Sequence, residues 1–347
     1  MKILIRADAN EVISSGHVMR CLAIAETLHD AGVDVQFCAA DMSPADLVEG
    51  KGFAFHSHDA IWNRMGEAEG LDELSLANTL GADALMVDTY SISREYVSAV
   101  SRSLPVCYLG SKKGDLGPLA MLVNYSTVIN GEFYRQTYAQ YGTELLLGPR
   151  YAPLRSEFRC LHPREQREKA ENILVTTGNT DPHNVMGAII AALLACDKEV
   201  RVHAVVGAMF AHRDKLLRAY AGDERVNLIE GATSMSELMM GSDIAVSANG
   251  TTVYELSACG IPAVTFAMVD EQIESGAELG RLHAVAYCGA ISNGFDECVR
   301  RISSQTARLI SDCALRAKLA ASAHALMDGN GALRIADALM RLPKRRR

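Results

Sequence analysis

Among the residues able to do chemistry, His17 is the best placed. It lies in Ser14-Ser15-Gly16-His17-Val18-Met19-Arg20-Cys21, which opens a helix just past an apolar strand containing Ile3-Leu4-Ile5. In open α/β sheets, ligands bind at the carboxyl ends of the strands. A helix N-terminus carries partial positive charge, which holds an imidazole neutral and able to take a proton. His17 is therefore a candidate general base. The competing reading is a polar first-turn residue bonded to its own loop. Asp88-Thr89-Tyr90 ends a strand on the same edge as Asp8 and His17. Two carboxylates and a phenol there could orient the imidazole and a sugar, or Asp88 could simply cap the next turn.

Two further loops could hold a ligand. Ser247-Ala248-Asn249-Gly250-Thr251-Thr252-Val253-Tyr254-Glu255 follows a strand and opens a helix. Its small residues let backbone approach a ligand, and free N–H groups at a helix start can hold a phosphate. Thr251 and Thr252 add hydroxyls, and Glu255 is placed to accept from a ribose diol. The alternative is an ordinary turn with Thr251 as cap and Glu255 facing solvent. Gly178-Asn179-Thr180-Asp181-Pro182 is the second loop, with Asp181 as cap and Pro182 at the first helical position. Neither loop is a P-loop, and G-x-G-x-x-G is lacking, so a nicotinamide dehydrogenase is poorly supported. No Asp-x-Asp pair occurs, so a metal-bridged diphosphate is not indicated.

The elements that must position these residues alternate strand and helix. Strands are expected at Lys2–Ala7, Asp34–Ala39, Ala84–Asp88, Val106–Leu109 and Met121–Asn124, with helices near 16–31, 70–81 and 93–102. In the first helix Val18, Cys21, Leu22, Ala25 and Leu28 share a face, Ser14 or Ser15 can cap it, and Gly32 ends it. After a Pro-rich linker, a second alternation has strands at 172–177, Val200–Val206, Val226–Ile229, Ile244–Ser247 and Ala263–Ala267. It has a helix at about 183–196, and 305–341 reads as helices. This pattern predicts an α/β protein of two Rossmann-like domains facing a cleft that holds the ligand. The domains run 1–150, carrying the base, and 164–347, binding a nucleotide, with 151–163 between them.

Composition narrows the class. The chain has 347 residues, 49% hydrophobic and 22% charged, with a formal net charge of -8. A nucleic-acid binder needs a concentrated basic surface, and the only basic run is Lys344-Arg345-Arg346-Arg347. Nine scattered cysteines without a C-x-x-C pair read as reduced packing thiols rather than a zinc site. Lys2, Arg6, Asp8 and Glu11 stand where a signal peptide needs an apolar core, and the longest apolar stretch, Met186 to Cys196, is too short to span a bilayer. A cytoplasmic enzyme without stable membrane insertion, a monomer or weak dimer, is expected.

Taken in order, the motifs resemble those of the nucleotide-sugar hydrolases of pseudaminic acid biosynthesis, which have the two-domain GT-B fold and are relatives of MurG-type transferases. The matching pieces span nearly the whole chain: Arg6-Ala7-Asp8, Gly16 to Leu22, Asp88-Thr89-Tyr90, Leu147 to Tyr151 with Leu154 to Phe158, Asp181-Pro182, Gly250-Thr251-Thr252 with Glu255, Gly260-Ile261-Pro262, and Gln272. The resemblance implies hydrolysis of a UDP-linked diacetamido-trideoxy hexose at its anomeric carbon, with inversion and without metal or organic cofactor. It implies His17 as base for water with Asp88 and Tyr90 beside it, and Asp8, Gly16 and Arg20 on the sugar side. It puts UDP on the second domain, with Glu255 at the ribose. Gly178, Asn179, Asp181, Asn249, Gly250, Thr251, Thr252 and Gln272 then lie near the diphosphate.

Three positions depart from that family. Asn179 and Asn249 stand where glycine is usual, and Glu271 where asparagine precedes Gln272. Asparagine tolerates left-handed backbone, so both loops can keep their shape. A carboxylate near a phosphate weakens binding unless it turns away or pairs with a cation. The nucleotide half is therefore expected to have a shifted substrate or affinity. Two rivals remain: a GT-B glycosyltransferase using a UDP-sugar, and a non-catalytic nucleotide-sugar binding protein. The cluster Glu67, Glu69, Asp72 and Glu73 reads as an acidic patch where a MurG-like enzyme needs an apolar and basic one, which favours the hydrolase.

Overall fold

The structure, a computed structural model, describes residues 1–343 except Ala208. The basic run Lys344-Arg345-Arg346-Arg347 lies outside the described residues. The chain divides into two compact units, one made of Met1–Ser156 together with the residues from Asn330 onward, the other of Glu157–Gly329.

The first unit is built on seven strands: β1 (Lys2–Ala7), β2 (Asp34–Ala39), β3 (Ala54–Ser57), β4 (Ala84–Asp88), β5 (Val106–Leu109), β6 (Met121–Asn124) and β7 (Glu144–Leu147). They pair in parallel in the order β3-β2-β1-β4-β5-β6-β7. The five strands expected from the sequence form with the expected bounds, because each is an apolar run buried on both faces of the sheet. The two unexpected ones, β3 and β7, are the sheet edges, where half-exposed residues dilute that signal.

Helices α1 (Gly16–Asp30), α2 (Ala45–Glu49), α3 (Glu67–Leu80), α4 (Arg94–Ser101) and α5 (Gly131–Tyr138) complete the crossovers. In α1 the expected stripe of Val18, Cys21, Leu22, Ala25 and Leu28 is buried. Neither serine caps it through its side chain: Ser15 is the N-cap without such a bond, and Ser14 sits at φ 55 with its amide donating to the Asn10 carbonyl at 2.8 Å. Strand order reverses between β1 and β4, whose register pairs Ala7 with Asp88. The loops leaving two such strands diverge and open a crevice at the carboxyl ends.

The second unit repeats the scheme with β8 (Asn172–Thr176), β9 (Arg201–Val206), β10 (Val226–Glu230), β11 (Ile244–Ala248), β12 (Ala263–Ala267) and β13 (Ala286–Ala290). All pair in parallel in the order β10-β9-β8-β11-β12-β13. Its helices are α6 (Val185–Cys196), α7 (Arg213–Ala219), α8 (Met235–Met240), α9 (Thr252–Ala258), α10 (Ile273–Arg281), α11 (Phe295–Ser311) and α12 (Cys313–Leu326). The order again reverses between two strands, here β8 and β11.

The last helix, α13 (Gly331–Met340), departs from the expected division, which placed it in the second domain. Ala332, Ile335, Ala336 and Leu339 join the core of the first unit with Val18, Leu22 and Ala25 of α1. Apolar complementarity with the exposed side of α1 outweighs chain order. Its first residue is glycine by necessity, because a Cβ there would lie 2.1 Å from the Ala152 carbonyl oxygen. Among the described residues, no helix is long and apolar enough to cross a membrane.

Candidate active site

The crevice end of the first sheet gathers a buried polar cluster. His17, in the first turn of α1, is 2% exposed, and Asp88, the last residue of β4, is 1% exposed. Asp88 Oδ1 lies 2.6 Å from His17 Nδ1 and also accepts from Arg20 Nη2; Asp88 Oδ2 accepts from Arg20 Nε at 2.5 Å. Arg20 Nη1 donates to the Tyr125 hydroxyl at 3.1 Å, and its guanidinium lies 5.9 Å from the Tyr125 ring centre. The Tyr90 ring meets the imidazole edge-on, with centres 4.6 Å apart, while its side chain stays exposed.

The protons in this cluster follow from charge. Burial alone would raise the Asp88 carboxyl, but Arg20 and the hydrogen bonds from His17 and Arg20 outweigh it and hold the group below the usual carboxylate range. An ionised carboxylate only accepts, so the proton in the 2.6 Å contact belongs to His17 Nδ1. Arg20 Nη2, 2.8 Å from the same Nδ1, is then a second donor aimed at the shared oxygen. The neutral imidazole carries its lone pair on Nε2, which is buried with no hydrogen-bond partner among the described residues. Arg20 balances Asp88, so the trio is neutral overall while His17 is neutral.

Other residues expected on the sugar side are placed differently. Arg20 is committed to Asp88 and Tyr125, which makes it a support for the carboxylate. Gly16 starts α1. Asp8, expected beside the imidazole, instead accepts from the Ala40 amide at 2.7 Å and from Arg6 Nε at 3.0 Å. Arg6 Nη1 also donates to Glu73 at 2.5 Å, and the Tyr96 hydroxyl donates to the other Glu73 oxygen. Glu73 is thus 1% exposed and no part of a surface patch, which removes it from the acidic run at 67–73. Burial raises its carboxyl despite Arg6 and Tyr96. Gly70 makes this possible: the α3 backbone passes so close to α4 that a Cβ would meet the Tyr96 carbonyl oxygen at 2.9 Å.

The corresponding edge of the second sheet carries the loops after β8 and β11. Gly178 takes φ 93, and Gly178 and Asn179 are exposed. Asn179 and Asn249 do not use the left-handed backbone that asparagine tolerates; it falls on Gly178, Asp181 and Asn184. Asp181 is buried, and its two oxygens accept from the Val185 and Met186 amides at 2.8 and 2.9 Å. The N-cap of α6 is Asn184, and the helix begins at Val185 rather than Pro182; Asp181 is not the expected cap but takes up the first two helix amides, which a phosphate would need.

Asn249 follows β11 and is 5% exposed, with Nδ2 donating to the Gln272 carbonyl at 3.2 Å and to Ser275 Oγ at 2.9 Å. Gly250, Thr251 and Thr252 lead into α9, where Thr251 makes no side-chain cap and Glu255 is half-buried one turn in. Gln272 ends a short 3-10 turn from Asp270, its Oε1 accepting from the Met268 amide at 2.9 Å. Glu271 in that turn is exposed. The structure thus joins His17, Asp88, Tyr90 and Arg20 in one cluster, and Asn249, Gly250 and Gln272 in another. Tyr125 and Ser275 were not anticipated, nor was the burial of Glu73; an aromatic just past a β-strand end was the one available signal for Tyr125.

No family model matches the chain. An uncharacterised protein of Methanocaldococcus jannaschii is 24% identical over 276 residues, covering 76% of this chain and 55% of that protein. The spore coat polysaccharide biosynthesis protein SpsG of Bacillus subtilis is 27% identical over 229 residues, covering 63% of this chain and 66% of that protein. The chain thus spans about half the length of the first relative and just under two thirds of the second. Among solved structures, Acinetobacter baumannii MurG matches with a TM-score of 0.67 at 18% identity, covering 99% of this chain and 100% of that one. A Neisseria meningitidis UDP-GlcNAc 2-epimerase bound to UDP-GlcNAc matches with a TM-score of 0.67 at 12% identity, covering 99% and 100%. At these identities the likeness concerns the fold: the chain has the two-domain α/β architecture of the GT-B proteins.

Proposed function

We propose that this chain cleaves a nucleotide sugar at its anomeric carbon, with His17 as general base for water and the second unit holding the nucleotide. The observation that carries the reading is the pairing of His17 Nδ1 with buried Asp88, which leaves Nε2, without a partner among the described residues, as a lone pair at a strand-order reversal. In the step, Nε2 takes a proton from water as the water oxygen bonds the anomeric carbon. The bond from that carbon to the diphosphate oxygen breaks, its electron pair leaving with the nucleoside diphosphate. Attack opposite the leaving group inverts the carbon and releases free sugar. Asp88 then faces an imidazolium, whose charge it stabilises.

The finer reading is a UDP-linked diacetamido-trideoxy hexose in nonulosonic (pseudaminic) acid biosynthesis, supported by the intact motifs at 6–8, 16–22 and 88–90. The name of the SpsG relative supports the broader role in polysaccharide biosynthesis. On the nucleotide side we assign Glu255 to the ribose and Gly178, Gly250, Thr251, Thr252 and Gln272 to the diphosphate region.

A transferase reading has one observation in its favour. Glu73 is buried, while Ile61 and Leu71 of the same region are 55% and 51% exposed, so this surface is less acidic and more apolar than its sequence implies. Release of UDP from UDP-diacetamido-trideoxy hexose, followed with and without sugar or lipid acceptors, separates the readings. Release by wild type alone, abolished in His17→Ala, is the expected result. Release only with an acceptor moves the assignment to a glycosyltransferase, and tight binding without turnover to a binding protein.

A further inference from the structure

Asn249 has an amide whose orientation is forced. Ser275 Oγ gives its proton to the Gln272 carbonyl at 3.2 Å, so it offers Asn249 only a lone pair, and the Gln272 carbonyl also only accepts. Both neighbours demand donation, which turns Asn249 Nδ2 toward them. Asn249 Oδ1 is left as a buried acceptor with no partner among the described residues. Gln272 is fixed the other way: Oε1 is held by the Met268 amide, so Nε2 is the end left to donate, and it lies 3.7 Å from where a Gly250 Cβ would be. At this strand-order reversal one side chain therefore offers an acceptor and its neighbour a donor, both uncharged.

A phosphoryl oxygen cannot satisfy this pair. It carries no proton for Asn249 Oδ1, and its negative charge would be pressed against a carbonyl dipole. An N–H beside a carbonyl oxygen satisfies both ends. We infer that Asn249 and Gln272 form a neutral donor–acceptor pair that holds an amide edge of the ligand, either the pyrimidine edge of the nucleotide or an N-acylamino group of the sugar. This rests on the nucleotide-sugar reading above and changes the roles of Asn249 and Gln272 from diphosphate neighbours to selectors of an uncharged group. A site built to receive an N–H rejects analogues lacking it far more strongly than a merely apolar pocket does.

Calorimetric titration of the full chain tests this with UDP, N3-methyl-UDP, UDP-N-acetylglucosamine, UDP-glucose and inorganic pyrophosphate. Asn249→Ala is expected to weaken UDP or UDP-N-acetylglucosamine binding by about tenfold or more and to leave pyrophosphate binding unchanged. In wild type, weaker binding of N3-methyl-UDP than of UDP assigns the edge to the base. Weaker binding of UDP-glucose than of UDP-N-acetylglucosamine assigns it to the acylamino group. These wild-type comparisons decide even if the variant does not fold, and a difference in neither pair overturns the inference. Equal loss of pyrophosphate in Asn249→Ala, or an equal loss in Ser275→Ala, which keeps Oδ1, also overturns it. Wild type that binds none of the uridine probes refutes the nucleotide reading and this inference together. Binding that Asn249→Ala leaves intact refutes this inference alone.

Discussion

Replacing Asp88 by asparagine separates the chemical from the structural work of one side chain. Asp88 receives three N–H groups, from His17 Nδ1 and from Arg20 Nε and Nη2. Asparagine offers one carbonyl oxygen and an NH2, so one donor must now face another donor. His17 Nδ1 and Arg20 Nη2 share Oδ1, so an NH2 there drives the imidazole proton from Nδ1 to Nε2, whereas an NH2 at Oδ2 meets only Arg20 Nε. The first arrangement leaves no lone pair where water must be deprotonated, and either one removes the negative charge that would stabilise the imidazolium. Loss of an orienting carboxylate by this route lowers turnover by about 10⁴-fold in serine proteases, and a comparable fall in UDP release is expected here. Stability falls as well, because a guanidinium remains without its counter-charge. Breaking a buried pair costs about 3–5 kcal/mol. The Arg20 side chain is 18% exposed, which sets the expectation near the low end, a melting temperature lowered by roughly 6–12 °C. Adding Arg20→Met removes the orphaned charge, so the double variant should regain most of the melting temperature and none of the turnover. A folded Asp88→Asn protein that releases UDP within tenfold of the wild-type rate would refute the assignment of His17 as a base oriented through Nδ1.

Two further outcomes follow from the packing and the buried charges. Gly331→Ala should destabilise the first unit by about 3 kcal/mol, as overpacking against backbone does, and lower the urea midpoint with little change in slope. Glu73, whose carboxyl burial raises, contributes stability fully present below the ordinary glutamate value of about 4.3 and lost as pH rises through the raised value. Wild type should therefore lose stability relative to Glu73→Gln between pH 4 and pH 8 in urea titrations, and the opposite slope would contradict the assignment. Asp88 has the opposite sign: its pairing stabilises fully above about pH 3.9 and is lost only as pH falls through its depressed value.

The parts legible in the sequence are those encoded by continuous local pattern. Interior strands such as Ala84–Asp88 are bounded apolar runs, and α1 has an apolar stripe, so both could be read residue by residue. Edge strands β3 and β13 could not, since Ala54–Ser57 and Ala286–Ala290 are only partly buried and lack such a run. His17 and Asp88 could be matched because Asp88 ends β4 and His17 opens the helix that follows β1, the strand paired with β4. Arg20 was identified but its partners were not, because its pairing reaches across 68 residues to Asp88 and 105 to Tyr125. Asp8 and Glu73 were misplaced for a related reason. A carboxylate looks the same in sequence whether it faces solvent, a ligand or a buried arginine, and Arg6 decides the matter by bonding Asp8 at a separation of 2 residues and Glu73 at a separation of 67.

The return of α13 to the first unit has a consequence for biosynthesis. The residues from Asn330 onward complete a core that Met1–Ser156 begin, whereas Glu157–Gly329 form the other unit without interruption. A chain leaving the ribosome N-terminus first thus has its second unit complete in sequence before its first. Until α13 is made, the face of α1 that it covers stays open to solvent, on the helix that carries His17. The nascent protein must hold that apolar face for the time needed to translate 173 residues, from Glu157 to Gly329 inclusive, or about 10–35 s at 5–20 residues per second. The unit that holds His17 thus matures only once α13 has been made, so truncation before Asn330 would leave α1 without its cover.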